Sequence, residues 1–408
     1  MKNVTKMWSL WLVFILAAAI FVGCKNEYPS SIYKPNARYN PDPVITDVTP
    51  KFGLAGIDTI TIVGKNFSAN PEEDRVFFNG QKAEVLSASP TTLTVKAPNV
   101  PSDSVQIKLN VKGALLFGHY EYIKLEYASI EYGDFSNYDN ASGLACDPDE
   151  NIYVVLTTKK IMKVPPQGDK EVYGTASFIK ATGMKWGPGG YLYMLRGNRT
   201  IYRVPPGGGH DEKFIPNVGG RIYDLDFASS KVLFVVGKAD SIISVNMDTK
   251  AHFGAAGYPH FFLWGVRVYN GYVYVVGQYS GSDATIPKLA IWRNQILSDD
   301  GKLGPNELVV DWATLAKTKE ALPLSITFSE KGELFIGASE GDAITVYSLD
   351  SGTSHPLYPG VIYPPTNYMC WGNSNYLYVN RHDEHDAAKR RIMRYTMKEN
   401  GAPYYGRK

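Results

Sequence analysis

The sequence predicts an all-β protein in which a small antiparallel sandwich precedes a six-bladed β-propeller. Three observations predict it. Residues 43–125 alternate short apolar-polar runs with Gly, Pro, Asn and Ser clusters, the pattern of half-buried strands joined by tight turns. From Leu144 onward one unit of strand, turn and strand recurs six times, and a period of about 40 residues points to a propeller rather than a helical solenoid. The chain also carries 28 Tyr and 13% aromatic residues, side chains that favour pleated sheets.

The first residues are not part of that fold. Lys2 and Lys6 precede an apolar run over 7–22, which is shorter than the roughly 20 residues a bilayer-spanning helix needs, so residues 1–23 read as an export signal. Phe21-Val22-Gly23-Cys24 ends the run with a small residue before a cysteine and resembles a bacterial lipobox, with Phe21 where Leu is usual. That resemblance implies cleavage before Cys24 and lipidation of its thiol. An uncleaved anchor and an ordinary cleaved signal are the alternatives. Residues 24–42, rich in Pro, Ser, Asn and Tyr without periodicity, read as a linker holding the folded part off the membrane. The protein is therefore expected to work outside the cytoplasm, tethered to a membrane.

In the sandwich, strands are expected at 59–63, 75–78, 83–86, 92–96 and 104–111. Gly64-Lys65-Asn66-Phe67 and Asn79-Gly80 supply turns in which a positive φ costs Gly and Asn little. The opening Ile-x-x-x-x-Pro, the strand Ile60-Thr61-Ile62 followed by Gly64, Asn66 and Phe67, and the hairpin Val76-x-Phe78-x-Gly80 together resemble an IPT/TIG domain, which implies an immunoglobulin-like fold over 43–125. Such a domain implies no chemistry and serves here as a spacer, with direct ligand binding the alternative. A formal charge of +2 and the absence of any basic loop cluster exclude nucleic acid as a partner.

The units of the second domain, 126–408, begin "LACDPDENIYVV", "MKWGPGGYLYML", "LDFASSKVLFVV", "VRVYNGYVYVV", "ITFSEKGELFIG" and "MCWGNSNYLYVN". A third strand follows in each, at 160–166, 200–206, 241–247, 290–296, 344–350 and 391–397. The last unit has little chain left for a fourth, whereas 128–135 is a strand without a unit. It is expected to complete the sixth blade and close the ring. The rhythm resembles the NHL repeats. Cys146, Trp186, Phe227, Val268, Phe328 and Trp371 share one position of the innermost strand, and a position apolar in every blade is packing between blades. Cys146 and Cys370 fall on the first and sixth innermost strands, in blades that closure makes neighbours; they leave opposite faces of their strands, so they either confront each other across the seam or both point away, and two buried thiols are expected ahead of a disulfide.

Ligands of propellers sit on loops entering the innermost strand and loops joining the second and third strands. On those loops stand Trp264, Tyr279, His260, Phe262, Tyr223, Arg196, Tyr368 and Arg381, the candidate ligand-binding residues. Aromatic faces beside Arg and Asp suit sugars, whose C–H groups stack while hydroxyls find polar partners. Core packing is the alternative role for "GYPHFFLWG". No catalytic residues, cofactor or metal are expected: "NRHDEHDAAKRR" groups His382, Asp383, Glu384, His385 and Asp386 without metal-ligand spacing, no Gly-x-Ser-x-Gly elbow occurs, and "PPGGGHDEK" lacks the ending of a phosphate loop. An exported lipoprotein with these two domains resembles the surface glycan-binding proteins of Bacteroidetes-type polysaccharide-utilisation systems. That resemblance implies a lipid-anchored, outward-facing place at the outer membrane, a glycan ligand, and an outer-membrane transporter complex as partner. A protein-protein scaffold is the alternative, followed by a propeller lyase or lactonase.

Overall fold

The computed structural model describes residues 38–383 and 385–405. Cys24, the leader and Glu384 lie outside the described residues.

Two sheets make the first domain. One orders strands Val44–Thr49, Thr59–Lys65, Thr92–Lys96 and Glu84–Ser89; the other orders Phe52–Leu54, Gly118–Glu126, Ser102–Val111, Asp74–Phe78 and Gln81–Lys82. Alternation works as read: Ile60 and Ile62 are fully buried while Thr59 and Val63 face out. Gly64 is obligatory, because a Cβ there would lie 1.9 Å from the Val44 carbonyl oxygen. Three strands at the domain's ends were not legible, since Phe52–Leu54 is short and gains its definition only by parallel pairing with Gly118–Glu126.

Six further sheets follow. Their innermost strands are Ala141–Cys146, Gly183–Trp186, Arg221–Phe227, Phe261–Tyr269, Pro323–Phe328 and Tyr368–Trp371, each paired antiparallel to a second strand and that to a third. Each innermost strand packs beside the next, and Tyr368–Trp371 packs beside Ala141–Cys146, which closes the circle. Both ends of the circle share one sheet: Ser129–Glu131 pairs with Arg391–Thr396, and the Tyr132 N–H donates to the Ile392 carbonyl at 2.8 Å. The outer edge of the first sheet is covered by Gly209–His210, laid parallel to Glu171–Thr175 by the Gly207-Gly208-Gly209 run, so the "PPGGGHDEK" segment protects an edge.

Large side chains join the sheets, each reaching back to its predecessor. Trp186 stacks on Tyr153 with centroids 5.1 Å apart, Phe227 meets Tyr193 edge-on at 5.1 Å, Phe328 meets Tyr274 at 4.7 Å, and Trp371 meets Phe335 at 5.5 Å. Cys146 and Cys370, both free and buried, occupy one core cluster with Tyr132 and Tyr378. The Cys370 side chain beside it, together with burial, pushes the Cys146 thiol well above its ordinary range.

After the last strand the chain crosses the lower end of the circle. Gly401 bridges to Ser329 against the Trp371 ring, the Tyr404 hydroxyl donates to the Cys146 carbonyl, and the Arg267 guanidinium lies 4.8 Å from the Tyr404 ring centroid. Arg267 is held by Asp226 in a buried pair at 2.9 Å. The central channel is therefore blind at this end. A small apolar joint of Leu54, Ala128 and Val361, with the Lys398–Asp58 ion pair beside it, connects the two domains.

Candidate ligand-binding face

At the open end of the channel the innermost strands are irregular. Register shifts leave Tyr223 without a partner between Ile222 and Asp224, Trp264 between Leu263 and Gly265, and Leu324 between Pro323 and Ser325. A bulge adds one residue and turns a side chain out of the alternation. Here three consecutive sheets bulge at the same level.

The consequence is an aromatic row. Tyr223 meets Phe262 edge-to-face at 4.6 Å and Phe262 meets Trp264 at 5.4 Å, so rings from the third and fourth sheets continue one another. All three are half-buried. Lys238 stands 4.5 Å from the Phe262 centroid, and the Trp264 indole N–H donates to the Pro323 carbonyl at 2.7 Å, which fixes the ring against the fifth sheet. Tyr368 donates its hydroxyl to the Ala181 carbonyl at 3.2 Å.

Trp264 and Tyr368 also line the channel mouth, with Lys185, Asp224, Leu324 and Asn367. Its free volume is ≈ 40 Å³, room for little more than a water molecule. Burial pushes the Asp224 carboxyl up to about 6, against the pull of the Lys185 ammonium and of the N–H groups of Val266 and Leu225. The Val266 N–H donates to Asp224 at 2.9 Å, so this carboxylate also ties the third sheet to the fourth. Lys185 and Asp224 escaped the sequence reading because alternation assigns their neighbours to packing and says nothing of what faces a channel.

The other expected site residues are dispersed. Tyr279 is buried: it packs on Phe261 at 4.9 Å under Gly281, and its hydroxyl accepts from the Asp283 N–H at 3.4 Å. It stands in register with Phe261, one residue from the Phe262 row, so it supports its loop and does not face Trp264. His260 is exposed at φ 67°, and its carbonyl accepts from the Ser280 N–H at 2.9 Å and hydroxyl at 2.8 Å. Arg196 is exposed 5.8 Å from the Tyr202 centroid. Arg381 donates to the Pro364 carbonyl at 3.0 Å on the sixth sheet. In the 380–391 loop, the Asp383 carboxylate accepts the N–H groups of His385 and Asp386, and the first of these chiefly holds its pKa below the usual range. Among the described residues no group of three His, Cys, Asp or Glu is placed to hold a metal.

Two larger hollows lack such a row. One of ≈ 630 Å³ lies between residues 284–289 and 311–319; its only indole, Trp312, is buried with its N–H donated to the Ala321 carbonyl. The other, ≈ 580 Å³, lies between the domains, where Lys124 pairs with Asp103 at 3.1 Å and Glu126 at 3.2 Å.

Residues 43–127 match the IPT/TIG domain family. Over 117 residues the chain is 32% identical to a cyclomaltodextrin glucanotransferase of Bacillus sp. (strain 1-1); the match covers 28% of this chain and 15% of that protein, so the chain spans a small part of that relative. Among solved structures, it is similar to an auxiliary nutrient binding protein from Bacteroides thetaiotaomicron VPI-5482, with 13% identity, 87% of this chain and 97% of the other covered, and a TM-score of 0.48. A second protein from the same organism, provisionally assigned as a phosphatase, is 11% identical over 88% of this chain and 98% of its own, with a TM-score of 0.54. At these identities the likeness concerns the fold. The chain is an all-β protein that joins an immunoglobulin-like IPT/TIG domain to a β-propeller.

Proposed function

We propose that the protein binds oligo- or polysaccharide across the open mouth of the propeller. The observation that carries this reading is the Tyr223–Phe262–Trp264 row, three partly exposed rings from two sheets beside a cavity too narrow to admit a sugar. Sugar rings stack on such a platform through their C–H faces, while Lys185, Asp224 and Lys238 stand within the polar margin that hydroxyls require. The reading is of binding without turnover: Lys185 and Asp224 neighbour each other at the margin of the row, and Asp224 is already engaged by the Val266 N–H. In this reading the lipid on Cys24 holds the protein at the outer membrane, the IPT/TIG domain sets the propeller away from it, and a transporter complex receives the captured glycan.

A glycan array followed by calorimetry tests the site. If ring stacking on sugar resembles stacking on a base, Tyr223→Ala loses about 1–3 kcal/mol of binding, roughly tenfold or more in affinity, with little change in melting temperature. Trp264→Phe, which keeps a ring but loses the bond to Pro323, weakens binding less than Trp264→Ala. Mass spectrometry of the bound oligosaccharide shows no cleavage. Unchanged affinity in Tyr223→Ala and Trp264→Ala places the ligand elsewhere, and shortened oligosaccharides replace the binding reading with an enzymatic one.

A further inference from the structure

The hairpin formed by Ser102–Val111 and Gly118–Glu126 is a ribbon with two unlike ends. Pairing of Ser102 with Leu125 puts one end at the interdomain cleft, beside Tyr376 and Arg394 of the propeller. At 3.3 Å per residue, the ten-residue strand carries the other end roughly 30 Å away. That far turn reads Leu115-Leu116-Phe117, exposed by 60%, 65% and 46%. Among the described residues it is the one place where three consecutive large apolar side chains face solvent.

A solvated turn has no use for such residues, so something covers them. The path of the chain indicates what. The segment that arrives from the N-terminus is fastened to this same turn: the Asp42 carboxylate accepts the N–H groups of Leu115 at 3.0 Å and Leu116 at 2.9 Å, the Asn40 side chain donates to the Lys112 carbonyl at 2.9 Å, and the Asn40 N–H donates to Gly113 at 2.8 Å. Tyr39, 54% exposed, lies beside it. Only residues 25–37 separate Cys24 from this described segment, a span of at most about 50 Å even if fully extended. The apolar tip therefore stays within reach of the bilayer that holds Cys24.

We propose that Leu115, Leu116 and Phe117 insert into the surface of that bilayer as a second attachment beside the lipid. This rests on the lipidated reading of Cys24. Two attachments restrict orientation where a lipid on a linker alone does not: the ribbon then stands on the membrane and its opposite end carries the propeller outward.

The test uses the full lipidated protein with Leu116→Cys, labelled with an environment-sensitive nitrobenzoxadiazole dye. Cys146 and Cys370 are buried and Cys24 carries the lipid, so position 116 takes the dye. The protein is reconstituted in phosphatidylethanolamine–phosphatidylglycerol vesicles with and without lipids bearing a doxyl quencher on the acyl chain. Expected are a blue-shifted emission and its loss in doxyl vesicles, whereas the dye at Ser230→Cys, on an exposed turn of the third sheet, is unaffected. Vesicle-bound protein whose dye at 116 behaves like that at 230 overturns the insertion alone. A blue shift without quenching also overturns it and assigns the tip to protein contact. Dye on Cys24 and protein left behind in the supernatant refute the anchored reading, and the insertion falls with it.

Discussion

Trp264 shows why a site residue and a core residue are hard to tell apart in a sequence. Tyr279 and Trp264 belong to the same aromatic-rich sheet, yet one is buried under Gly281 and the other lies beside the open mouth. The difference is one bulged residue, and a bulge leaves no mark in an apolar-polar pattern. Alternation did reveal the packing role of Trp186 and Trp371, because repetition across sheets makes it visible.

Asp224 is the second residue whose meaning is set by its surroundings. Its carboxyl titrates near 3.8 in the unfolded chain and at about 6 in the fold. Between those values the folded state keeps a proton that the unfolded state has released, so this group lowers stability as pH rises through the window and adds no further slope above it. Asp224→Asn keeps an acceptor for the Val266 N–H and removes the ionisation. The stability of the variant relative to the parent is expected to grow from roughly pH 4 to pH 6 and then level off, by about 3 kcal/mol. Urea unfolding at several pH values measures it, and a difference independent of pH contradicts the placement of Asp224.

At the scale of elements, the strand at the start of the propeller was legible for a topological reason. A last unit one strand short and a leading strand without a unit can only complete each other, and Ser129–Glu131 does pair with Arg391–Thr396. The fastening of the tail was not legible, since "GAPYY" carries no periodicity; only the fold brings Gly401 to Trp371 and Tyr404 to Cys146. Ile130 stands in register with Arg394, between the Tyr132 bond to Ile392 and the Thr396 bond to Ala128. Ile130→Pro removes a ladder donor at this seam, with an expected loss of about 3 kcal/mol in equilibrium unfolding. The buried thiols of Cys146 and Cys370, which lie on the same seam, then react with a thiol reagent faster than in the parent. A fully stable variant with unreactive thiols speaks against closure through this strand.

For the whole molecule, the two domains divide the work by position. The ribbon of the sandwich runs from the arriving chain to the propeller, and the tail blocks the far end of the channel, which leaves one mouth open. The fold class was readable because strand rhythm and period are properties of the chain. The mouth was not, because it is made by residues from six strands that are distant in sequence and meet only when the circle closes. Hydroxyl-radical footprinting with and without a retained oligosaccharide reads out which aromatic rings the ligand covers. Protection of Tyr223, Phe262 and Trp264 is expected, with Phe253 on the outer strand of the third sheet and Tyr122 on the sandwich unchanged. Protection confined to the hollow around Ile286 and Ala316, or to the interdomain cleft around Tyr127, with the aromatic row still oxidised at its free rate, would contradict it.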